Sequence, residues 1–197
     1  AQSAGTLPLS LDSLGAAYVA MPGHKGLLGP QGTGLLLCAR VPEPLLMGGT
    51  GSESKRQDMP DFIPDRAEAG TVNVPGIAGL GAGLRYLRNC GIERILDREQ
   101  KQVRATAKGL EKLGIRVFQG VHQAGTLSFL PDCDCEEAAE ILGKQGIAVR
   151  AGLHCAPFAH ESAGTLESGT VRISFGHDAC DAQTKALLRG CAKLPGR

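Results

Sequence analysis

A single lysine lies in a glycine-rich turn between two apolar runs, and this arrangement constrains the fold more than any other feature of the chain. The runs are residues 16–21 and 33–39, and Lys25 lies in the segment PGHKGLLGPQGTG that joins them. Short apolar runs bounded by glycine and proline predict buried strands. An ammonium group between buried strands either stays in water or loses its proton more easily than a free amine. The pattern therefore favours a lysine that forms a Schiff base with a carbonyl compound.

Composition and charge exclude several classes of partner. The chain has 197 residues, with 28 glycines and with 21 basic against 20 acidic residues. This length allows one large domain or two small ones, and the glycine content suits a turn-rich α/β protein. The balanced charge indicates neither nucleic acid nor an anionic membrane surface as a partner. The seven cysteines are scattered and odd in number, so we expect a reducing compartment and a cytoplasmic protein.

Hydrophobic periodicity predicts most of the secondary structure. Residues 41–64 are rich in proline and glycine and predict an exposed loop. Helices are expected at residues 75–91, 92–113, 135–144 and 179–192, with Asp134 and Asp178 as N-caps of the last two. Strands are expected at residues 116–119, 126–130, 147–150 and 170–175. The order predicts an antiparallel or mixed sheet covered on one face by helices.

Four segments together resemble one enzyme family. His24–Lys25 followed by G-P-x-G-x-G is similar to the cofactor-lysine motif of the cysteine desulfurases, which are class V aminotransferases dependent on pyridoxal phosphate. The other three segments are EAGTVN at residues 68–73, AVRAGLHCA at residues 148–156 and GTVRIS at residues 169–174. Each motif alone is weak, but four in the same order across nearly the whole chain are specific.

The resemblance implies an α/β protein of the aspartate-aminotransferase-like fold of pyridoxal-phosphate-dependent transferases. Residues 1–91 would be the end of the cofactor-binding large domain, and residues 92–197 a small α+β C-terminal domain with its linking helix. Ala1–Gln2 resembles the end of a D-x-A-Q motif whose aspartate would lie two residues before Ala1. That aspartate would pair with the pyridinium nitrogen, so we expect a fragment that is inactive by itself.

The resemblance also implies a role for each cofactor contact. Lys25 would hold pyridoxal phosphate as a Schiff base and then act as the base at the substrate α-carbon. Gln2 would contact the ring hydroxyl, His24 would orient the cofactor, and Thr71 would reach the phosphate bound in the neighbouring subunit of a homodimer. Relatives often carry Ser or Thr three residues before the lysine, whereas this chain has Pro22, which lacks a hydroxyl. The phosphate must then be held more by other groups, or more weakly.

Substrate contacts follow from the late motifs. By resemblance, L-cysteine is converted to L-alanine, and its sulfur is left on Cys155 as a persulfide. His154 and a nearby arginine would raise the thiolate fraction of Cys155. Arg172, in an apolar strand, and Arg150 would bind the substrate carboxylate, although a structural salt bridge is the alternative for both. The short loop after Gly152 resembles the desulfurases that pass sulfur to a dedicated acceptor protein.

Other interpretations stay open at this stage. The reaction could be that of a selenocysteine lyase, or of another class V aminotransferase or lyase. The chain could also be a catalytically inert homologue that keeps only the fold's dimer or docking surface. Zinc ligands are available in principle at His154, Cys155, His160, His177 and Cys180, but their spacing matches no zinc pattern, so we expect no metal.

Overall fold

The computed structural model describes residues 1–196 and divides into two compact units. The first unit is Ala1–Ile92, and the second begins at Glu93. Within the described residues, none of the helices combines the length and the apolar character that crossing a bilayer requires.

The first unit is built around an antiparallel strand pair and one long helix. Its elements are α1 (Leu11–Leu14), β1 (Tyr18–Pro22), β2 (Gly34–Cys38), a 3₁₀ turn at Asp65–Ala67, and α2 (Val74–Cys90). β1 and β2 pair with Val19 opposite Leu37. Residues 41–64 form no helix or strand, as predicted for a loop.

The predicted strands are confirmed, but their predicted burial within this chain is wrong. Leu36 is 51% exposed and Leu37 is 42% exposed. The reason is geometric: β1 and β2 form a sheet of only two strands, and such a ribbon cannot bury both of its faces.

Small residues on α2 allow close packing against the loop that follows Lys25. A Cβ atom added to Gly83 would lie 2.5 Å from the carbonyl oxygen of Leu27. One added to Gly79 would lie 2.8 Å from the Pro30 ring. Leu27 and Leu80 are both buried at this contact surface. The helix therefore fixes the glycine-proline loop through backbone contact that larger side chains would prevent.

The second unit is a four-stranded antiparallel sheet with helices packed against it. Its elements are α3 (Ile92–Lys112), β3 (Arg116–Phe118), β4 (Thr126–Leu130), α4 (Cys135–Lys144), β5 (Arg150–Gly152), α5 (Pro157–Ala163), β6 (Thr170–Ser174) and α6 (Asp181–Cys191). The strand order is β3-β4-β6-β5. Alternate residues of β4 and β6 form the core with the helices, including Leu127, Phe129, Val171 and Ile173, as the period of two requires.

Two local predictions in this unit are wrong, and one helix had no prediction. The third strand begins at Arg150 rather than at residue 147, because Gly152, Ala151 and Arg150 are the residues that pair with β6. The N-cap of α6 is Cys180 and not Asp178. Helix α5 was not predicted, since seven residues are too few for a clear periodic pattern. Asp134 caps α4 as predicted, accepting hydrogen bonds from two backbone N–H groups.

One carboxyl group is buried where α3 meets the turn before β4. The side chain of Glu99 is only 5% exposed. Burial raises the pKa of this carboxyl, and a hydrogen bond with the Gly125 backbone opposes the shift. The folded state therefore binds this proton more tightly than the unfolded state does. Stability is then lost as the pH rises from the unfolded pKa through the raised folded pKa.

Replacing Glu99 with glutamine should remove the loss of folding stability that ionisation of this carboxyl causes. Gln keeps an oxygen that accepts from Gly125 but carries no charge, so the Glu99→Gln variant should be more stable than the wild type at neutral pH. The two stabilities should converge below about pH 4, where the carboxyl is protonated in both states. Urea unfolding between acid and neutral pH measures the difference. Glu111→Gln, on the exposed face of the same helix, is the control, and an equal gain there would contradict the prediction.

Candidate active site

The Lys25 turn is closed by backbone hydrogen bonds at its base. The Gly23 N–H donates to the Thr33 carbonyl at 2.7 Å, and the Gly29 N–H donates to the Gly23 carbonyl at 2.7 Å. A third bond, 3.0 Å long, joins the Leu28 N–H to the carbonyl of Lys25 itself. The lysine is therefore carried on a rigid loop, with its side chain half-buried and the neighbouring His24 exposed.

The N-terminal segment packs directly against this turn. A Cβ atom on Gly5, which has φ +84°, would overlap the carbonyl oxygen of Gly26, and one on Gly26 would overlap that of Ala4. Ala4 is buried at this contact. The structure thus brings the segment that begins with Gln2 against the turn of Lys25, through glycines that no other residue could replace without a backbone shift.

Thr71 lies elsewhere in the first unit, on a cavity of about 420 Å³. Glycines from two loops line much of it, namely Gly49, Gly51 and Gly70, and the Gly70 N–H donates to the Gly49 carbonyl at 2.9 Å. Lys25 is not among the lining residues. This cavity therefore holds Thr71 without Lys25.

In the second unit, Arg150 and Arg172 lie directly opposite each other on β5 and β6. Side chains at paired positions point to the same face of a sheet, and like charges there are destabilising. None of the ion pairs between residues 1–196 includes either arginine. The Nε of Arg172 is buried and has no hydrogen-bond partner. Guanidinium groups pair with planar anions such as carboxylates, so these two arginines are a candidate anion site.

Cys155 follows β5 in a strained turn. His154 has φ +54° and Cys155 has φ +59°, which is the left-handed region that non-glycine residues rarely occupy. The Ala156 N–H closes the turn by donating to the Leu153 carbonyl at 2.9 Å. Cys155 is exposed, and α5 begins two residues later at Pro157. The turn therefore presents the thiol at the surface of the unit.

The imidazole ring of His154 is held against Thr170 on β6. Its Nε2 lies 3.1 Å from the carbonyl oxygen of Thr170 and 3.2 Å from the hydroxyl. Burial lowers the pKa of His154, and the charge of Arg172 lowers it further. Both effects favour the neutral form of the ring, and the expectation that His154 raises the thiolate fraction of Cys155 stays a prediction. The Nδ1 atom is buried without a partner.

Sequence reasoning missed the residues that support this turn. Thr170 binds His154, and His160 lies with its ring centroid 5.7 Å from that of His154. These contacts join positions separated along the chain, and periodicity carries no signal for them. The sequence indicated His160 only as a candidate zinc ligand. Among residues 1–196, no three His, Cys, Asp or Glu side chains are grouped to hold a metal ion.

Comparison with known proteins places these features in a family. Residues 1–187 match the sequence model of the family described as Aminotransferase class-V. A protein of Methanothermobacter thermautotrophicus named "Probable cysteine desulfurase" is 38% identical over 191 residues, which cover 89% of this chain and 46% of that protein. The chain belongs to the class V aminotransferase family, and the resemblance drawn from the four motifs is confirmed.

Solved structures of cysteine desulfurases agree with this family assignment. The apo cysteine desulfurase of Thermococcus onnurineus superposes with a TM-score of 0.85 at 34% identity, over 96% of this chain and 49% of that one. The cysteine desulfurase CsdA of Escherichia coli superposes with a TM-score of 0.83 at 27% identity, over the same shares. These matches confirm the predicted aspartate-aminotransferase-like fold class. The chain spans about half the length of the relatives that it matches.

The facing arginines should repel each other while no anion is bound. Replacing Arg150 with glutamine should therefore raise the free energy of unfolding by about 0.2–1 kcal/mol at low salt. Added sulfate should reduce the difference in the free energy of unfolding between the variant and the wild type, because an anion between the two guanidinium groups stabilises only the wild type. Arg94→Gln, at an exposed position of α3, is the control. A less stable Arg150→Gln protein in dilute buffer would show that the two charges do not oppose each other.

Proposed function

We propose that this chain carries catalytic residues of a pyridoxal-phosphate-dependent cysteine desulfurase, an enzyme that converts L-cysteine to L-alanine and leaves a persulfide on Cys155. The observation that carries the proposal is the pair of arginines on β5 and β6, without an acidic partner, beside the turn that presents an exposed thiol. The naming of the relatives as cysteine desulfurases supports it.

In this proposal the two units supply different functional groups. Residues 1–91 are the end of the cofactor-binding large domain, and residues 92–197 are the small C-terminal domain with its linking helix. The division of the structure next to residue 92 is consistent with that assignment. The first unit supplies the amine and the second supplies the thiol and the guanidinium groups.

The residues of the first unit fit pyridoxal phosphate. The cofactor's aldehyde needs an amine that is held in place, and Lys25 is carried on a turn that three backbone hydrogen bonds close. Lys25 would hold the cofactor, while His24 and Gln2 would contact it, and Thr71 would reach the phosphate of a partner subunit in a homodimer. When bound, pyridoxal phosphate supplies an electron sink that stabilises negative charge on the substrate α-carbon.

The chain's own residues account for substrate binding and proton movement. Arg172 and Arg150 bind the α-carboxylate of cysteine, since a planar guanidinium matches a carboxylate with parallel hydrogen bonds. Lys25 takes a proton from the α-carbon and returns one later, which is general acid–base catalysis by a positioned amine. The buried Nε of Arg172 gains in the substrate the acceptor that the protein does not provide.

The sulfur step needs no external oxidant. The Cys155 sulfur forms a bond to the substrate sulfur, and the carbon–sulfur bond breaks with its electron pair left on carbon. That carbon then takes a proton and becomes the methyl group of alanine. Each sulfur is oxidised by one electron and the carbon is reduced by two, so the step balances. An acceptor protein would afterwards remove the outer sulfur from Cys155, which the structure leaves exposed.

A cytoplasmic location accompanies this chemistry. All seven cysteines are free, and a persulfide-forming thiol needs a compartment that keeps thiols reduced.

Trapping with borohydride tests the cofactor role of Lys25. We expect pyridoxal phosphate to give the protein a visible absorption band that borohydride bleaches, with the reduced adduct located at Lys25 by peptide mass spectrometry. Lys25→Ala should lose both the band and the adduct. Lys55→Ala, which removes an exposed lysine of the same unit, should keep both. An adduct spread evenly over the lysines would contradict the assignment.

Persulfide mapping tests Cys155. Because the chain is expected to be inactive by itself, this test uses the chain joined at its N-terminus to the preceding cofactor-binding half of a related desulfurase, which supplies the aspartate of D-x-A-Q. Loaded with pyridoxal phosphate and given L-cysteine, the joined protein should carry a persulfide on Cys155 and produce one alanine for each sulfur transferred. Cys155→Ala should form neither persulfide nor alanine while it retains the absorption band, whereas Cys180→Ala, at another exposed cysteine, should behave as wild type. Alanine formed at an undiminished rate by Cys155→Ala would rule out the persulfide role and favour a different class V reaction.

A further inference from the structure

A buried polar pair lies beneath the His154–Cys155 turn. His160 on α5 is 6% exposed, and Thr165, just after this helix, is 2% exposed. The His160 Nδ1 lies 2.9 Å from the Thr165 hydroxyl. Burying an imidazole or a hydroxyl group costs free energy unless the group is hydrogen-bonded. The contact between the two side chains therefore offsets the cost of burying both.

Backbone bonds tie this pair to both ends of the site. The Thr165 N–H donates to the His160 carbonyl at 2.8 Å, and the Gly169 N–H donates to the Thr165 carbonyl at 2.9 Å. Gly169 leads into β6, and a Cβ atom on it would lie 3.0 Å from the Cα of Gly152 at the end of β5. Thr165 therefore links helix α5 to the strand that carries Arg172.

The pair also limits the movement of His154. The His160 ring faces the His154 ring at a centroid distance of 5.7 Å and an interplanar angle of 47°. Another edge of His154 is held at Thr170 through Nε2. The imidazole is thus confined between Thr170 and His160, and its backbone continues into Cys155.

Such confinement is what a strained turn requires. Two successive non-glycine residues in the left-handed region are each unfavourable, because Cβ lies too close to the following carbonyl oxygen. A conformation of this kind persists only where the surrounding structure over-determines it. The Leu153–Ala156 hydrogen bond supplies one restraint, and the enclosure of the His154 ring supplies another.

We propose that His160 is a positioning residue, held by Thr165, that keeps His154 against Thr170 and thereby fixes the direction in which the Cys155 thiol projects. The proposal rests on the function assigned to Cys155 above. His160 itself touches no reacting atom. It acts through the His154 ring and the turn that this ring stabilises.

Hydrogen exchange and thiol alkylation test this role by comparing the wild-type chain with three variants. Neither cofactor nor substrate is needed. The variants are His160→Gln, Thr165→Val, which keeps the size but removes the hydroxyl, and Thr165→Ser, which keeps the hydroxyl. The readouts are exchange of the Ala156 amide and the rate of alkylation by iodoacetamide at Cys155, with Cys180 measured in the same sample as the internal reference.

We expect Ala156 exchange to be about tenfold faster in His160→Gln and in Thr165→Val, which corresponds to about 1.4 kcal/mol of lost restraint. The Cys155 alkylation rate should change relative to Cys180 in both variants, and Thr165→Ser should restore both readouts to wild-type values. Should His160→Gln fail to fold, the comparison of Thr165→Val with Thr165→Ser decides alone.

Three outcomes would overturn the proposal. These are a Thr165→Ser protein that behaves like Thr165→Val, a His160→Gln protein with both readouts unchanged, and a change at Cys180 equal to that at Cys155. None of them bears on the desulfurase assignment, whose failure would show as an absence of alanine and persulfide in the protein joined to the preceding cofactor-binding half.

Discussion

The register of β5 on β6 is the constraint from which the site in the second unit follows. Three residue pairs define it, and they place Arg150 opposite Arg172 and Gly152 opposite Thr170. A shift by one residue would move every side chain of β5 to the other face of the sheet. In the observed register, two guanidinium groups face each other, and the turn after Gly152 begins next to Thr170, where His154 finds its hydrogen-bond partner.

A different physical device fixes the amine in the first unit. There the backbone itself is packed, with Gly5 against Gly26 and Gly83 against the carbonyl groups of the loop that follows Lys25. Because glycine has no side chain, these backbone segments can approach each other closely. The loop that carries Lys25 is therefore held by the strand ends, by one face of α2 and by the N-terminal segment together. Rigid placement of this kind suits a covalent cofactor site, because a positioned amine contributes through orientation as much as through basicity.

The secondary structure followed largely from periodicity, and its failures have local causes. Helix α4 and strand β4 have the predicted bounds, since each is a clean pattern between clear end signals. The strand predicted at residues 147–150 is displaced because pairing with β6, and not apolar character, defines where it begins. Apolar residues in β1 and β2 predicted burial, yet a two-stranded sheet leaves Leu36 and Leu37 exposed in this chain.

Residue types and their order along the chain determined the family, the fold class and the identity of the candidate amine, thiol and guanidinium groups, because short motifs record which chemistry each position must supply. Tertiary structure alone decided that Arg150 and Arg172 face each other without an acidic partner. It also decided that burial lowers the pKa of His154, whose ring is turned toward Thr170. It placed the buried pair of His160 and Thr165 beside the strained turn of Cys155. These facts depend on contacts between residues far apart in the sequence, and on the burial that follows from them. Neither these contacts nor this burial can be read from the order of residues along the chain.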